Sequence, residues 1–319
     1  MRRCQVGFVG AGGVAARHAR VLAGMPGAEL VCVTDVDPLR ATEFAAAHGL
    51  RAVPDVDALL DTGVDAVYVC VPPFAHGGLE ETVAAAGRAL FVEKPLGLDL
   101  TDPERVAKVV SEAGIVTSVG HHWRHSACVR QAADLVADRP ARLVSGAWLD
   151  KVPPVGWWPR RASSGGQVVE QAVHVLDLAR VLVGEITEVY AQADAGPVAP
   201  GADVDGATAA TLRFASGAVG TLATTCLLGW KHRAGLEVYA DGLGLAVTED
   251  ELTVRDSGGG VRREVVDPDD ARRAVDRAFV DAVLGDRSAV LAPYGEALKT
   301  HRVACALAAS AVEHRPVVI

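Results

Sequence analysis

A glycine-rich turn near the start of the chain restricts the possible folds more than any other feature. Residues 4–9 are typical of a buried strand, residues 10–15 follow the pattern G-x-G-x-x-A, and a helix is predicted over residues 15–25. The first glycine permits a tight turn, the second lets a pyrophosphate approach the backbone, and the small third residue lets helix and strand pack closely. The sequence therefore predicts a dinucleotide-binding turn in a parallel α/β sheet. The residues predicted to contact the dinucleotide are Gly10, Gly12, Gly13, Val14 and Ala15.

An aspartate follows the second predicted strand. That strand covers residues 30–34, and Asp35 stands 20 residues beyond Ala15. An acid at this place accepts hydrogen bonds from the ribose hydroxyls of the adenosine, and its charge repels a 2′-phosphate. We therefore expect NAD in preference to NADP, with NADP kept as the alternative because Arg40 is close by.

Strands and helices go on alternating up to residue 119. Buried strands are predicted over residues 66–71, 89–92 and 116–119. This order indicates a doubly wound parallel sheet, in which ligands lie beyond the carboxyl ends of the strands. The segments expected around that crevice are residues 10–15, Asp35, residues 72–76, residues 93–95 and residues 120–124.

Lys94 leaves the predicted strand 89–92 and precedes Pro95. A lysine that passes from a buried strand into a cleft loses hydration and becomes a usable proton donor or an anchor for a hydroxyl. The segment taken alone fits a surface lysine equally well.

From residue 121 onward, short strand-like segments with tight turns replace the earlier alternation. Their apolar periodicity predicts an α+β domain with a mostly antiparallel sheet, a helix over residues 164–183 and two closing helices, 269–284 and 293–313. We thus predict a dinucleotide-binding domain over residues 1–120 and a second domain over residues 121–319. Packing of the closing helices back on the first domain is the alternative.

The helix predicted over residues 164–183 carries three ionisable residues on one stripe. Ser163 or Ser164 would cap it, and Glu170, His174 and Asp177 follow at helical spacing. A carboxylate one turn before an imidazole fixes its tautomer and makes it a better proton acceptor, as a general base requires. A helix with a polar edge and a satisfied histidine is the other interpretation.

Two further segments leave their roles open. His121, His122 and His125 suggest a metal site, but no acidic or cysteine ligand stands at a matching spacing, so no metal is expected. Trp157 and Trp158 lie in a proline-rich loop, where their rings would pack on a sugar or would fill a domain or subunit interface.

Composition excludes several classes of protein. The net charge of −9 disfavours a nucleic-acid binder, and no apolar run reaches the length of a membrane span. The six cysteines stand singly, which indicates free thiols in a reducing cytoplasm. The first residues enter a strand at once, so we expect no signal peptide and a cytoplasmic protein.

Five motifs in this order resemble the Gfo/Idh/MocA family, the glucose–fructose oxidoreductase and inositol dehydrogenase group of NAD(P)-dependent enzymes. They are Gly10-x-Gly12-x-x-Ala15, Asp35, Pro72-Pro73-x-x-His76, Glu93-Lys94-Pro95 and Gly165-Gly166-x-x-x-Glu170-x-x-x-His174-x-x-Asp177. The resemblance implies a Rossmann domain with a doubly wound parallel sheet, followed by a domain with a large open sheet. That open sheet often joins subunits of the family, so a homodimer or homotetramer is expected.

The resemblance also assigns roles to residues of the first domain. Lys94 matches the catalytic lysine, and Pro95 the proline that commonly follows it through a cis bond. Glu93 would lie near the nicotinamide ribose. The other residues implied at the cofactor site are Lys94, Pro72, Pro73 and His76, and Pro73 stands where the family usually has asparagine.

In the second domain, His174 matches the general acid/base of the family, and Glu170 matches a position more often filled by aspartate. Glu170 and Asp177 would orient His174 or hold substrate hydroxyls. The residues implied at the substrate are Lys94, His122, Arg124, Trp158, Glu170, His174 and Asp177.

The activity implied is hydride transfer between a nicotinamide and a secondary hydroxyl or ketone of a sugar, polyol or sugar derivative. His174 would remove the hydroxyl proton while Lys94 stabilises charge on the same oxygen. Two alternatives are a non-catalytic dinucleotide-binding sensor and a redox-neutral, NAD-dependent glycosidase of the same fold.

Overall fold

A computed structural model describes residues 2–194 and 196–319, and the chain divides into two compact units. The first unit contains the residues up to Gly97, Thr101–Gly120 and Arg272–Leu298. The second contains Leu98–Leu100, His121–Ala271 and Lys299–Ile319. Apart from Leu98–Leu100, the chain thus passes from the first unit to the second after Gly120, and one late segment, Arg272–Leu298, returns to the first unit.

The strands and helices are numbered along the chain. The strands are β1 (Cys4–Val9), β2 (Ala28–Thr34), β3 (Arg51–Ala52), β4 (Ala66–Val69), β5 (Ala89–Val92), β6 (Thr117–Val119), β7 (Leu143–Leu149), β8 (Ile186–Ala193), β9 (Ala207–Phe214), β10 (Val219–Thr225), β11 (Arg233–Ala240), β12 (Leu243–Thr248), β13 (Glu251–Asp256), β14 (Val261–Val265) and β15 (Val317–Val318). The helices are α1 (Gly13–Ala23), α2 (Pro38–His48), α3 (Val56–Leu60), α4 (Gly78–Ala85), α5 (Thr101–Ala113), α6 (Ala127–Asp138), α7 (Arg161–Ser164), α8 (Gln167–Glu170), α9 (Val173–Val183), α10 (Pro268–Leu284) and α11 (Tyr294–Glu313). Among the described residues, no helix has the length and apolar character needed to cross a membrane.

The first unit is built on a parallel six-stranded sheet with the order β3-β2-β1-β4-β5-β6. Its central strands are buried along almost their whole length, as expected where helices cover both faces of a sheet. The strand order reverses between β1 and β4, and this is the place where doubly wound sheets bind dinucleotides. The predicted doubly wound sheet is confirmed.

Aromatic rings from distant parts of the sequence form the core of the first unit. Tyr68 on β4 stacks on Phe91 of β5 with ring centroids 4.5 Å apart. Phe279 of α10 meets both rings edge-on, at 5.4 and 5.5 Å. Because α10 supplies this ring, the late segment of the chain belongs to the core of the first unit.

The second unit is built on a nine-stranded sheet with the order β14-β13-β12-β11-β7-β10-β9-β8-β15. Every neighbouring pair is antiparallel except β7 and β10, which run parallel. The prediction of a large, mostly antiparallel sheet is therefore confirmed. Helices α6 and α9 cover one face, and Gly146 on β7 allows the close approach of α9, since a Cβ there would lie 2.9 Å from Val175.

The prediction of one continuous helix over residues 164–183 is wrong. Gly165 and Gly166 take positive φ angles of 73° and 90°, and these angles interrupt the helix between α7 and α8. A second break separates α8 from α9, so Glu170 and His174 stand on different helices. The predicted serine cap is also wrong, because the Ser164 hydroxyl accepts from the Gly166 N–H at 3.1 Å and caps no helix.

Candidate active site

In the first unit, the glycine turn links β1 to α1. Gly10 has φ +94°, and a Cβ there would lie 2.4 Å from the carbonyl oxygen of Cys70. A Cβ at Gly12 or Gly13 would meet nothing within 4 Å, so the space above the turn is open. No side chain caps α1 at Gly12, which leaves the positive end of the helix available to an anion. Ala15 is buried under the turn, while Val14 is exposed.

The carboxylate of Asp35 is fixed beside this turn. One oxygen accepts from the backbone N–H of Ala11 at 2.7 Å, and the other accepts from the N–H of Asp37 at 2.9 Å. These bonds hold the carboxylate at the end of β2, next to the amino end of α1. Arg40 is the residue because of which NADP is kept as the alternative cofactor. It lies 3.6 Å from the exposed carboxylate of Asp37.

The segment after β4 places the next group of predicted cofactor residues. A short 3₁₀ helix, Pro73–Ala75, follows Pro72, and Pro73 is buried. His76 is buried as well and hydrogen-bonds through Nδ1 to Glu80. The other oxygen of Glu80 accepts from the N–H of Gly77 at 2.6 Å, so one carboxylate fixes both His76 and the start of α4.

Glu93 and Lys94 leave β5 in a dense set of interactions. The buried Glu93 carboxylate accepts from His18 at 2.8 Å, from Arg17 at 3.2 Å and from the backbone N–H of Lys94 at 3.2 Å. Burial alone would raise the pKa of Glu93, but the bond from His18 and the charges of Arg17, His18 and Lys94 lower it to about 2. The side chain of Lys94 is half-buried, and the peptide bond to Pro95 is cis.

Sequence reasoning missed His18. A signal was present, because His18 lies on the buried stripe of α1 together with Ala15, Ala19 and Leu22. An ionisable residue on an otherwise apolar stripe needs a partner inside the protein.

In the second unit, His174 lies on α9 among aromatic rings. Its imidazole stacks on Trp123 and Trp148, with centroids 5.4 and 5.7 Å apart and planes inclined by 20° and 17°. The ring of His122 meets it edge-on at 5.4 Å. These contacts fix the plane of a buried imidazole, as a positioned proton acceptor requires. Sequence reasoning named neither Trp123 nor Trp148 as a neighbour of His174.

Asp177 and Arg124, both predicted at the substrate, form a bidentate ion pair at 2.7 and 2.8 Å. The Thr300 hydroxyl donates to Asp177 at 2.7 Å, and His121 Nδ1 lies 3.6 Å from the same carboxylate. Burial alone would raise the pKa of Asp177, but His121, Arg124 and Thr300 lower it to about 2. The pair is therefore a buried anchor that ties α9 to the segment after Gly120.

Glu170 accepts a hydrogen bond of 2.8 Å from the indole N–H of Trp158. Trp158 has no exposed surface and packs with Val204 and Cys226 inside the second unit. The expectation that this ring presents an open face to a sugar therefore does not fit the structure. Its observed contact is with the predicted catalytic carboxylate.

His122 contacts Glu249, whose carboxylate lies 3.1 Å from its Nε2. Lys231 lies 3.8 Å from the same carboxylate and 5.9 Å above the ring of Trp148.

His125 is the third histidine of the segment that suggested a metal site, and burial is the main reason that its pKa falls to about 4. Within residues 2–194 and 196–319, no three His, Cys, Asp or Glu side chains gather in an arrangement suited to a metal ion.

The chain matches known proteins over both units. Residues 4–121 match the oxidoreductase family with an NAD-binding Rossmann fold, and residues 140–243 match the GFO/IDH/MocA C-terminal domain. Inositol 2-dehydrogenase of Rhizobium meliloti (strain 1021) is 36% identical over 185 residues, which are 56% of this chain and 54% of that protein. The alignment thus spans about half the length of this relative.

Solved structures show the same fold over the whole chain. GenD2 from gentamicin A biosynthesis, in complex with NAD, has a TM-score of 0.83 at 26% identity, covering 100% of this chain and 97% of that one. Levoglucosan dehydrogenase, in complex with NADH and levoglucosan, has a TM-score of 0.91 at 20% identity and full coverage of both chains. With both domain matches in sequence order, the resemblance is confirmed, and the chain belongs to the Gfo/Idh/MocA family of NAD-binding oxidoreductases.

Proposed function

We propose that this protein is an NAD(P)-dependent dehydrogenase or reductase that acts on a secondary hydroxyl or ketone of a sugar, a polyol or a sugar derivative. The observation that carries the proposal is the buried imidazole of His174, held in plane by Trp123 and Trp148. The substrate class is supported by the relatives, which are named inositol 2-dehydrogenase and levoglucosan dehydrogenase.

The first unit fits a dinucleotide. The open space above Gly12 and Gly13 and the uncapped amino end of α1 suit a pyrophosphate, and the fixed carboxylate of Asp35 suits ribose hydroxyls. NAD, when bound, supplies the hydride acceptor at its nicotinamide. We propose NAD as the preferred form, because a 2′-phosphate beside Asp35 would meet a negative charge.

The remaining chemistry is the transfer of the hydroxyl proton and the stabilisation of charge on the reacting oxygen, which side chains of the protein would carry out. In the proposed oxidation, His174 takes the proton of the reacting hydroxyl at its imidazole, and Lys94 donates a hydrogen bond to the reacting oxygen. Glu170, held by Trp158, has a fixed carboxylate, suited to orienting His174 or binding a neighbouring substrate hydroxyl.

The test is nicotinamide absorbance with NAD and with NADP against inositols, anhydrosugars, aldoses and keto-sugars. We expect His174→Asn and Lys94→Met each to lower kcat by about 10²-fold or more, with the affinity for NADH unchanged. His48→Asn, at the end of α2, is the matched control and should retain full activity.

Three outcomes would contradict the proposal. Unchanged rates in either variant would remove that residue from the mechanism. Products without net redox change would indicate a glycosidase, and NADH binding without turnover of any substrate would indicate a sensor.

We also propose that the protein forms a homodimer or homotetramer through the uncovered face of the nine-stranded sheet. Tyr239, Leu143 and Val219 lie side by side across β11, β7 and β10 and are 41%, 45% and 52% exposed. A contiguous apolar row on an exposed face marks an association surface. Leu143→Lys should reduce the mass measured by light scattering, whereas Val265→Lys on β14 should leave it unchanged.

A further inference from the structure

His18 is a buried histidine whose two ring nitrogens both face carboxylates of the first unit. Nδ1 lies 2.7 Å from Asp276 of α10, and Nε2 lies 2.8 Å from Glu93 at the end of β5. All three side chains are buried. One imidazole therefore connects the amino-terminal helix, the exit of β5 and a helix that comes 258 positions later in the chain.

A proton on both ring nitrogens lets the imidazole donate to both carboxylates. A neutral imidazole carries one N–H, so its second nitrogen would point a lone pair at a carboxylate oxygen. Burial alone would lower the pKa of His18, but Asp276 and Glu93 raise it to about 9. The ionisable groups around this site are Glu93 on the exit of β5, Asp276 on α10, Arg17 on α1, and Tyr68 and Cys70 on or next to β4.

The same contacts fix the orientation of Glu93. While one oxygen accepts from His18, the other accepts from the backbone N–H of Lys94 at 3.2 Å. Gly120 closes the remaining side, since a Cβ there would lie 2.7 Å from the Glu93 carboxylate. A change in the charge of His18 would therefore alter the hydrogen bond between Glu93 and the backbone N–H of Lys94.

We propose that His18 is a positioning residue for the reaction. As a buried cation it keeps Glu93 ionised, and through Glu93 it fixes the direction in which Lys94 leaves β5. This inference rests on the proposed function only for the role of Lys94; the charge on His18 is testable without any turnover.

The first experiment follows the imidazole nitrogens of His18 by ¹⁵N NMR in the full chain, from pH 5 to 10. Both nitrogens should remain protonated at pH 7, and the imidazolium should lose one proton near pH 9. In Asp276→Asn the titration should move to lower pH, because one of the two anions is lost. A non-protonated ring nitrogen at pH 7 in the native protein would overturn the inference, whatever the activity of the protein.

The second experiment compares His18→Gln with His48→Gln in the pH profile of kcat/KM. Without the His18 cation, the pKa of the buried Glu93 should rise, because Arg17 and Lys94 remain as its only positive neighbours among the groups that lower it. We therefore expect a loss of about tenfold at pH 8 that deepens as the pH falls toward 6. His48→Gln should follow the native profile throughout.

A His18→Gln profile that is parallel to the native one would mean a purely structural role and would overturn the inference. If no substrate is turned over, the proposed function fails, and the ¹³C shift of the Glu93 carboxyl carbon gives the answer instead. It should report an ionised group from pH 4 to 8 in the native protein and a titrating one in His18→Gln. An unchanged Glu93 titration in the variant would overturn the inference by itself.

Discussion

In the first unit the glycine turn of the candidate site is made of backbone, whereas in the second unit the site around His174 is made of side chains. The turn at Gly10 exposes peptide groups and the end of a helix, and even the carboxylate of Asp35 is held by backbone N–H groups. Around His174, by contrast, indoles and a buried ion pair do the positioning. A site built from backbone depends on its φ angles and on the open space beside it, whereas a site built from side chains depends on their identity and packing.

The largest expected effect is in the second unit, from Asp177→Ala. The substitution leaves the buried guanidinium of Arg124 without its anion, so the free energy of unfolding should fall by about 3–5 kcal/mol. Asp241→Ala breaks an exposed pair with Arg142 and should cost less than about 1 kcal/mol. Urea unfolding measures both, and equal losses would contradict the contrast between buried and exposed pairs.

The same carboxylate predicts a pH dependence. Because the pKa of Asp177 is lowered in the folded state to about 2, its stabilising contribution is complete above the unfolded value of 3.8. The contribution is about 2 kcal/mol and is lost as the pH falls through that range toward 2. Asp177→Ala should remove this part of the acid destabilisation, and an unchanged slope between pH 4 and 2 would argue against it.

In the first unit, the next largest effect should come from Gly10→Ala. The added Cβ would meet the Cys70 carbonyl at 2.4 Å in a left-handed backbone conformation, so we expect a loss of about 2–3 kcal/mol. Gly12→Ala has room and should keep its stability while weakening NADH binding. Comparable unfolding of the two variants would break the distinction between a strained and an open glycine.

A smaller effect is expected from Trp158→Phe. The change removes the N–H that Glu170 accepts and leaves most of the packing, so stability should fall by about 1–2 kcal/mol. If Glu170 acts in the reaction, kcat should fall as well. Trp157→Phe, in the same loop, is the control. Equal kcat values in the two variants would mean that Glu170 has no role in the reaction.

The smallest effect concerns cofactor choice. Asp35→Asn keeps a hydrogen-bonding side chain beside Ala11 but removes the charge, so the ratio of kcat/KM for NAD over NADP should fall by about tenfold. The unfolding free energy should change little, because Asp35 is only half-buried. A preference that does not move would exclude Asp35 as the determinant.

This contrast also explains what the sequence could reveal. The glycine turn, the strand ends and Asp35 depend on local signals, and the structure has the predicted doubly wound parallel sheet. The broken helix was hidden because Glu170, His174 and Asp177 match helical spacing whether or not the helix is continuous.

Partners far apart in the sequence leave no local pattern. His18 and Asp276 are 258 positions apart in the sequence. Trp148 lies on β7 and contacts His174, which lies on α9. Only the presence of a histidine on a buried stripe was visible in advance. Its partners could be identified only from the tertiary structure.

The return of α10 to the first unit also affects the order in which that unit can mature during synthesis. His18, Glu93 and Tyr68 leave the ribosome early, whereas Asp276 and Phe279 follow only after nearly all of the second unit has been made. Until then, the carboxylate and the aromatic ring that close the first core are missing. A nascent chain of 120 residues therefore holds the nucleotide turn but not the whole of its own core, and the first unit can finish folding only after most of the second has been translated.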